Sequence, residues 1–481
     1  MQAGEVLNAA DSMALEAFAE TPKTSRKGQS MSETNNKRVV IAGGTGFLGA
    51  ELGIALVQKG YQVHIISRDP ASHRGRLAFP CDQSSYEDLS QNPSLLEGAS
   101  GIINLAGASI AEGRWTASRR KILRDSRLKP TQVVVDAINR VSQKPTVLLQ
   151  ASAVGIYGEG FGKTLCEEWE ASAQKVDSSC RLILARIGPV LGWEGGAFAK
   201  LSQLYGAGLG AQLGDGSQWF SSIHIDDLVN AMIFGMENES LEGPINFVGQ
   251  ENATNHDLHK ILCQTSRSFR FMASPGVILK AMLGEASTLL LQGPNIDPTK
   301  LLEAGFRFTY PTLKKSIEGL QLEQKEPTPY RFKKKQWLPQ DPDKVWTFFN
   351  RAQNLEKITP PWLSFHIEGT APSPIQSGDI INYRLKIHGI PARWRSEISD
   401  VHAPNSFIDR QLKGPYKTWC HLHQFKPLGT GTLILDSIDY DLPMGWLGLP
   451  ALPFVTKDVG TIFNYRVDTV AQFAEDPTYW E

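Results

Sequence analysis

The sequence RVVIAGGTGFLG occupies residues 38–49 and reads as a buried strand, a tight glycine turn and the start of a helix. Its glycines follow the spacing G-x-x-G-x-x-G, at Gly43, Gly46 and Gly49. Glycine allows a sharp turn at the first position, close approach to a pyrophosphate at the second and tight helix packing at the third. N–H groups at the start of a helix attract phosphates. Because a strand precedes this turn and a helix follows it, the pattern predicts a dinucleotide site rather than a merely structural turn.

Apolar segments of strand length alternate with helical stretches from Lys37 to about residue 190. This alternation is typical of a Rossmann-like α/β fold, a doubly wound parallel sheet with helices on both faces. Ligands bind such a sheet in the crevice at the carboxyl ends of its strands. The predicted strands are 38–42, 62–67, 101–106, 146–152 and 181–187.

The residue after the second strand predicts which nucleotide binds. An acid there favours NAD, whereas an arginine pairs with a 2′-phosphate. Arg68 occupies that place and predicts NADP, with NAD as the alternative if Arg68 is only an exposed loop cation.

Arginines also recur at helical spacing after the loop that carries Arg114, at Arg120, Arg124 and Arg127. Such a stripe is most often a solvated face, but an arginine beside the crevice can hold a phosphate or carboxylate. We predict that Arg127 contacts the cofactor and Arg114 the substrate. The residues predicted to contact the cofactor are Gly43, Gly44, Thr45, Gly46, Phe47, Leu48, Gly49, Ser67, Arg68, Leu105, Ala106, Gly107 and Arg127.

Further motifs follow the glycine loop in a fixed order: NLAG at 104–107, ASAVGIYG at 151–158 and IHIDD at 223–227. Together they resemble the extended short-chain dehydrogenase/reductases of the NAD-dependent epimerase/dehydratase type. The atypical subgroup labelled "epimerase family protein" is resembled by GRWT at 113–116, DSR at 125–127, GGA at 195–197 and LLEAGFRF at 301–308. The resemblance covers about residues 37–320 and implies a small C-terminal substrate region at about 270–320.

The catalytic part of the parent pattern is missing. The parent enzymes use a Tyr-x-x-x-Lys pair, which should fall near Gly162 and Cys166, and neither side chain can do that work. Tyr157, just beyond a predicted strand, is the candidate to transfer a proton if a neighbouring cation lowers its pKa, with Ser152 assisting. The competing interpretation of Tyr157 is a tyrosine packed at a turn.

Two other polar clusters receive structural interpretations. Glu170 and its neighbours on a polar helix are interpreted as surface carboxylates, although one of them could act as an acid or base. For His224, Asp226 and Asp227, the resemblance implies a corner that caps a helix and ties down a loop. No G-x-S-x-G elbow accompanies them, so a hydrolytic triad cannot be argued.

A second region with a different sequence pattern begins after the linker QLEQKEPTP at 321–329. A strand at 330–338, a helix opened by Asp341, several short-spaced strands and a last helix at about 456–474 predict an α+β domain over 330–481. The phrases DKVW, GIPARW, QLKGPY and WCHLHQF resemble the START-like, cyclase/dehydrase-type superfamily of helix-grip folds. This resemblance implies an apolar ligand. His421 and His423 share one face of a predicted strand. No third residue lies at a spacing typical of a metal site, so no metal is predicted.

Bulk properties narrow the remaining choices. A chain of 481 residues exceeds one ordinary core, and its net charge of −1 gives no general attraction to nucleic acid or acidic membranes. Five scattered cysteines without a C-x-x-C suggest a reducing compartment, and with no secretory signal or apolar membrane span we expect a cytoplasmic protein. Residues 1–36 are predicted to be a disordered tail, with Met31 as an alternative start.

These observations lead to two alternative expectations of function. The first is an NAD(P)-dependent oxidoreductase or epimerase-like protein of the atypical type, acting on a small or lipophilic substrate, with a C-terminal domain for a hydrophobic ligand. The second is a catalytically inactive NADP(H)-dependent binding or sensor protein, which the missing Tyr and Lys would explain.

Overall fold

The computed structural model describes residues 37–110, 112–264, 273–274, 293–443 and 445–480, which belong to one compact unit beginning at Lys37. The predicted tail at 1–36 lies outside the described residues, as does part of the predicted substrate region at about 270–320. Within the described residues, no helix combines the length and apolarity needed to cross a bilayer.

The first sheet consists of seven parallel strands: β1 (Arg38–Ala42), β2 (Gln62–Ser67), β3 (Asp82–Ser85), β4 (Gly101–Asn104), β5 (Val147–Ala153), β6 (Arg181–Ile187) and β7 (Gly243–Phe247). They lie in the order β7-β6-β5-β4-β1-β2-β3, so the winding reverses between β1 and β4. The prediction of a doubly wound sheet is confirmed. The reversal opens a crevice at the carboxyl ends of β1 and β4.

The sequence misses β3 and β7 because one is the polar edge strand DQSS and the other opens with Gly-Pro. The strand predicted at 101–106 ends at Asn104. There the backbone N–H of Ala106 donates to the Asn104 side chain (3.2 Å) instead of a neighbouring strand. The predicted strand was therefore too long by the residues that enter the crevice loop.

Among the described residues, the helices of this first part are α1 (Phe47–Gln58), α2 (Tyr86–Gln91), α3 (Ala117–Arg140), α4 (Gly160–Ala173), α5 (Phe198–Gly206), α6 (Ile225–Glu237), α7 (Asn255–Gln264), α8 (Thr299–Glu303) and α9 (Leu313–Leu322). Side chains alternate across β1, so Val39 and Ile41 join one buried cluster with α1 and α6. Val40 and Ala42 join another with α3. Both faces of the sheet are therefore covered.

Two pairs of short strands lie outside the main sheet. Val190–Leu191 pairs with Ile223–His224, and Gln212–Leu213 pairs with Ala273–Ser274. The first pair holds the segment after β6 beside the start of α6.

The second sheet consists of seven antiparallel strands: β8 (Tyr330–Leu338), β9 (His366–Glu368), β10 (Ile380–Ile387), β11 (Ile390–His402), β12 (Ser406–Lys413), β13 (Thr418–Leu428) and β14 (Gly431–Asp441). Their order is β8-β14-β13-β12-β11-β10-β9. The accompanying helices are α10 (Pro342–Phe349), α11 (Asn354–Ile358) and α12 (Leu452–Glu475). The predicted α+β helix-grip fold is confirmed. The last helix begins earlier than predicted because Pro453 is tolerated in its first turn.

The two sheets are joined by direct contacts of β8 with the first part. The backbone N–H of Trp337 donates to the Leu77 carbonyl (2.8 Å). Lys335 inserts its ammonium between the carboxylates of Glu51 on α1 and Glu194, the latter at 2.8 Å. The two carboxylates raise the pKa of Lys335 despite the opposing effect of burial. The predicted domain bounds at 320 and 330 stay predictions.

Candidate cofactor and substrate site

The glycine loop has the geometry that its spacing predicts. Gly43 has φ +77°, and a Cβ there would lie 2.9 Å from the Ala106 backbone. A Cβ on Gly49 would lie 2.5 Å from Gly44, so α1 can approach the loop only without a side chain. Gly46 is exposed, and a Cβ on it would meet a single atom, at 3.7 Å. The first and third glycines are thus required by packing, whereas the second faces open space.

The start of α1 is open to a ligand. Gly46 occupies the N-cap position, where no side chain supplies a capping hydrogen bond, and the first turn carries no acidic residue. The ring of Phe47 lies against Gly192 and Gly195, where a Cβ would approach it to 2.7 and 2.5 Å. An uncapped helix N-terminus at a strand end suits a phosphate group.

The end of β2 carries an unsatisfied polar group. Ser67 is buried, and its hydroxyl has no hydrogen-bond partner among the described residues. Arg68, the next residue, is exposed. A buried hydroxyl without a partner costs about 1–3 kcal/mol, which a bound ligand can recover. The residues present therefore fit a nucleotide at this edge.

The end of β4 narrows into small residues beside a buried arginine. Ala106 is buried and Gly107 exposed, while the Leu105 N–H donates to the Ala42 carbonyl (2.8 Å). The Arg127 guanidinium lies 3.1 Å from the place of a Cβ on Gly107. Burial lowers the pKa of Arg127 to about 10, which leaves it charged at neutral pH. Of the predicted arginine stripe, this member reaches the crevice wall.

The remaining arginines of the stripe have other surroundings. Arg124 is paired with Glu168 (2.6 Å) at the surface, and Arg120 donates to the Trp115 carbonyl (3.1 Å). Arg114 is exposed, so its predicted contact with substrate stays a prediction. Thr116 caps the following helix by accepting a hydrogen bond from the Arg119 N–H (3.2 Å).

Four side chains form a connected polar network beyond β5. Arg186 donates to both oxygens of Glu170 (2.9 Å each) and to the Tyr157 hydroxyl (2.8 Å). Ser152 donates to Glu170 (2.7 Å). The structure therefore brings the two candidate catalytic residues to opposite ends of one ion pair. The Tyr157 hydroxyl also lies 2.8 Å from the amide oxygen of Asn246, and the residue is 44% exposed.

Glu170 corrects the interpretation of its helix as a row of surface carboxylates. Its side chain is buried, because α4 turns this position inward against β5 and β6. Arg186 and Asn246 could not be identified from the sequence, since their contacts depend on the register of β6 and β7 beside β5. A separation of sixteen residues between a helical glutamate and a strand arginine is not a recognisable sequence motif.

The positions of the missing Tyr-x-x-x-Lys pair are both on α4. Gly162 offers no side chain, and Cys166 is buried. Burial raises the pKa of the Cys166 thiol to about 11, so it carries no charge at neutral pH. Neither position can replace the parent tyrosine or lysine.

The corner at His224 is a structural element. His224 Nδ1 accepts from the Asp226 N–H (3.2 Å) at the start of α6, and Asp227 accepts from the N–H groups of Thr309 and Tyr310 (2.8 and 2.9 Å). Burial lowers the pKa of His224 to about 4. The corner thus caps a helix and ties down a loop, as the sequence resemblance implies.

The second sheet and α12 enclose a cavity of about 680 Å³. Its lining is mainly apolar and includes Trp394 and Trp419 on the strands. The exposed Trp362 and His388 also line it, which places them at its mouth. Asp409 reaches it among the few charged side chains.

His421 and His423 share one buried face of β13, as predicted, but they have an acidic neighbour that the sequence misses. Asp436 Oδ1 lies 3.0 Å from His421 Nε2 and 3.1 Å from His423 Nδ1. These atoms could hold a metal ion. The Arg466 guanidinium, however, lies 3.3 Å from both Asp436 and His423 and already neutralises the carboxylate. The cluster is therefore better described as an internal ion network.

The fold and the glycine loop define a dinucleotide-binding protein of the Rossmann type. A model of the NAD dependent epimerase/dehydratase family matches residues 39–177, and one of a domain of unknown function matches 274–320. A model described as polyketide cyclase / dehydrase and lipid transport matches residues 338–463.

The relatives named here each match about 60% of this chain. An Arabidopsis thaliana protein, "Epimerase family protein SDR39U1 homolog, chloroplastic", is 31% identical over 310 residues, which cover 60% of this chain and 88% of that one. Bacillus subtilis epimerase family protein YfhF is 32% identical, over 59% of this chain and 97% of its own. The crystal structure of human epimerase family protein SDR39U1 (isoform 2) with NADPH is 27% identical, with a TM-score of 0.55 over 60% of this chain and 100% of that one.

The chain belongs to the NAD dependent epimerase/dehydratase family, as an epimerase family protein whose first part is followed by a START-like cyclase/dehydrase domain.

Proposed function

We propose that the chain binds NADP(H) at the glycine loop and acts as an oxidoreductase on a small or lipophilic carbonyl or hydroxyl compound. The observation that carries the proposal is the uncapped start of α1 beside the exposed Gly46. The unpartnered hydroxyl of Ser67 and the exposed Arg68 support a 2′-phosphate rather than NAD's free ribose. The human relative crystallised with NADPH supports the same choice.

The predicted contacts divide by role. The residues 43–49 of the loop would hold the pyrophosphate, Ser67 and Arg68 the adenosine ribose, and Arg127 with residues 105–107 the far wall of the crevice. NADP(H), when bound, supplies or accepts the hydride.

The proton would pass through the Tyr157 hydroxyl. Arg186 donates a hydrogen bond to that oxygen (2.8 Å) and fixes the position of the phenol. Glu170 and Ser152 hold Arg186 in place from the buried side. In this arrangement Tyr157 is the acid or base, and the guanidinium takes the place of the absent lysine.

A second candidate function is a nucleotide-dependent binding or sensor protein without turnover. The specific observation in its favour is that Gly162 and the uncharged Cys166 occupy the parent pair's positions. In either case the START-like domain would hold an apolar ligand, for which the cavity of about 680 Å³ offers room. A cytoplasmic location remains part of this proposal.

The test is titration of the purified full chain with NADPH and with NADH by calorimetry. We expect NADPH to bind more tightly than NADH. Arg68→Asp should reverse this preference, because an arginine pairs with the 2′-phosphate of NADPH whereas an aspartate accepts from the ribose 2′-hydroxyl of NADH. Arg74→Asp, a change of equal charge in the same exposed loop, is the matched control and should leave the preference intact.

Turnover is tested separately by hydride exchange between deuterated NADPH and a panel of carbonyl compounds. Exchange that disappears in Tyr157→Phe supports the oxidoreductase. Tight NADPH binding with no exchange favours the sensor, and absence of binding to either nucleotide refutes both functions.

A further inference from the structure

The cavity between the second sheet and α12 has a polar end. Asp409, His421 and Arg466 line it there, on β12, β13 and α12. The remaining wall is dominated by aromatic and aliphatic side chains. A binding site of this kind orients an apolar ligand through a few placed polar groups.

Most polar groups at this end satisfy one another. The Asp436 carboxylate contacts the Arg466 guanidinium (3.3 Å), so the two charges cancel. The faces of Phe349 and Phe463 lie 5.1 and 5.6 Å from that guanidinium and hold its plane. These contacts make Arg466 a fixed cation at the cavity wall.

Asp409 is the exception. Its Oδ1 is shielded from solvent and has no hydrogen-bond partner among the described residues, although Ser396 hydrogen-bonds the carboxyl group. Burial raises the pKa of Asp409, which favours the neutral acid. A neutral acid can donate a hydrogen bond, and a buried group that makes none is costly.

We propose that this cavity binds a largely apolar molecule through one carbonyl oxygen, which accepts a hydrogen bond from Asp409 and faces the Arg466 guanidinium. The inference rests on the proposed apolar-ligand role of the second domain and adds the chemical class of the group at its polar end. A neutral acceptor fits because the network of Asp436 and Arg466 leaves no net charge there for an ionic head group.

The test uses the full chain and a fluorescent naphthyl ketone with a long alkyl chain, whose emission moves to longer wavelength when its carbonyl accepts a hydrogen bond. The comparison ligand is the same molecule with the carbonyl reduced to methylene. We expect the ketone to bind about 10-fold more tightly than the methylene compound, as one well-placed hydrogen bond implies. Its bound emission should be shifted to longer wavelength.

Variants separate the head-group contact from folding. Asp409→Leu should remove the preference and the emission shift, whereas Asp409→Asn, which keeps an N–H donor, should retain much of both. Asp343→Leu makes the same substitution at an exposed position of α10 outside the cavity lining, and should leave both unchanged.

Equal binding of ketone and methylene compound, or an emission shift that survives Asp409→Leu, overturns the head-group inference while leaving the apolar-ligand role standing. If neither compound binds the wild-type chain, the apolar-ligand role fails and the inference fails with it.

Discussion

The crevice at the glycine loop and the cavity beneath α12 are built differently. The crevice is formed by backbone: Gly43 and Gly49 allow close packing of the chain, and the N-terminus of α1 has no side-chain cap. The cavity is formed by side chains, with an apolar wall and an ion network around Asp436.

This difference affects what each space can tolerate. A site formed by backbone is expected to lose ligand binding when a side chain is added to it. A site formed by side chains is expected to lose binding when a particular group is removed. The two regions also share one feature, a buried carboxylate paired with an arginine: the arginine is half-buried in the first region and buried in the second.

The largest expected effect comes from removing those arginines. Arg186→Met leaves Glu170 buried without its cation, and we expect the free energy of unfolding to fall by about 3–5 kcal/mol. Arg466→Met should cost at least as much, because it leaves the buried Asp436 without its cation and the neighbouring His423 is uncharged at neutral pH. Urea denaturation of both variants measures the two losses.

The control is the double variant Arg186→Met with Glu170→Met, which removes both charges and should recover most of the loss. A double variant no more stable than Arg186→Met alone would contradict the assignment of the loss to an unpaired carboxylate.

The next effect is on nucleotide binding. Gly46→Arg places a side chain in the open space above the loop, and we expect NADPH affinity to fall about 100-fold, or about 2.7 kcal/mol. Gly460→Arg, at a glycine of α12 with no atom within 4 Å of its Cβ position, is the control and should bind NADPH normally. Calorimetry measures the NADPH affinity of both variants. An unchanged affinity in Gly46→Arg would contradict the placement of the phosphate site at this loop.

Acid should weaken both regions, in overlapping pH windows. Burial lowers the pKa of His224 to about 4 and that of His423 to about 3, both below the ordinary 6.5. Unfolding therefore takes up protons as the pH falls, so the stabilisation is complete above about pH 6.5 and is lost toward pH 4 and pH 3 respectively. Over its full window each histidine should contribute about 3–5 kcal/mol, since one pKa unit corresponds to about 1.4 kcal/mol.

The pH effect is measured as the free energy of unfolding from pH 7.5 down to pH 4, roughly the window that the depressed histidine pKa values define. His224→Asn keeps an acceptor for the helix cap but cannot titrate, and should flatten the slope above about pH 4. An unchanged slope would show that His224 is not a source of the acid sensitivity.

The smallest expected effects concern helix starts in the two regions. Thr116→Ala and Asp341→Ala each remove a capping oxygen, from α3 and α10, and each should cost about 1 kcal/mol. Thr116→Ser and Asp341→Asn retain the cap and should restore stability in the same urea experiment. A loss well above 2 kcal/mol would mean that these side chains do more than cap.

The contrast also explains what could be predicted from the sequence. The glycine loop is contiguous, so its strand, turn and helix could be identified together with the ligand they suit. The polar network around Arg186 could not, because Glu170 and Arg186 meet only when α4 packs on β6.

The same holds for the second region. The shared face of His421 and His423 follows from strand periodicity, but Asp436 joins them only through the pairing of β13 with β14, which sets His423 opposite Asp436. Asp409 and Arg466 come from a third strand and the last helix. The helix-grip fold could be recognised from contiguous sequence motifs. The polar end of its cavity could not, because it depends on the register of the strands.

One lysine ties these halves together. The relatives named above resemble only the first part, yet here Lys335 from the second sheet sits between Glu51 and Glu194 of the first. A fragment ending before β8 would leave two neighbouring acids facing each other with no counterion. Glu51 belongs to the helix that begins at the nucleotide loop. If the contact with Lys335 increases the affinity for the nucleotide, bound nucleotide must stabilise the contact between the two halves by the same free energy.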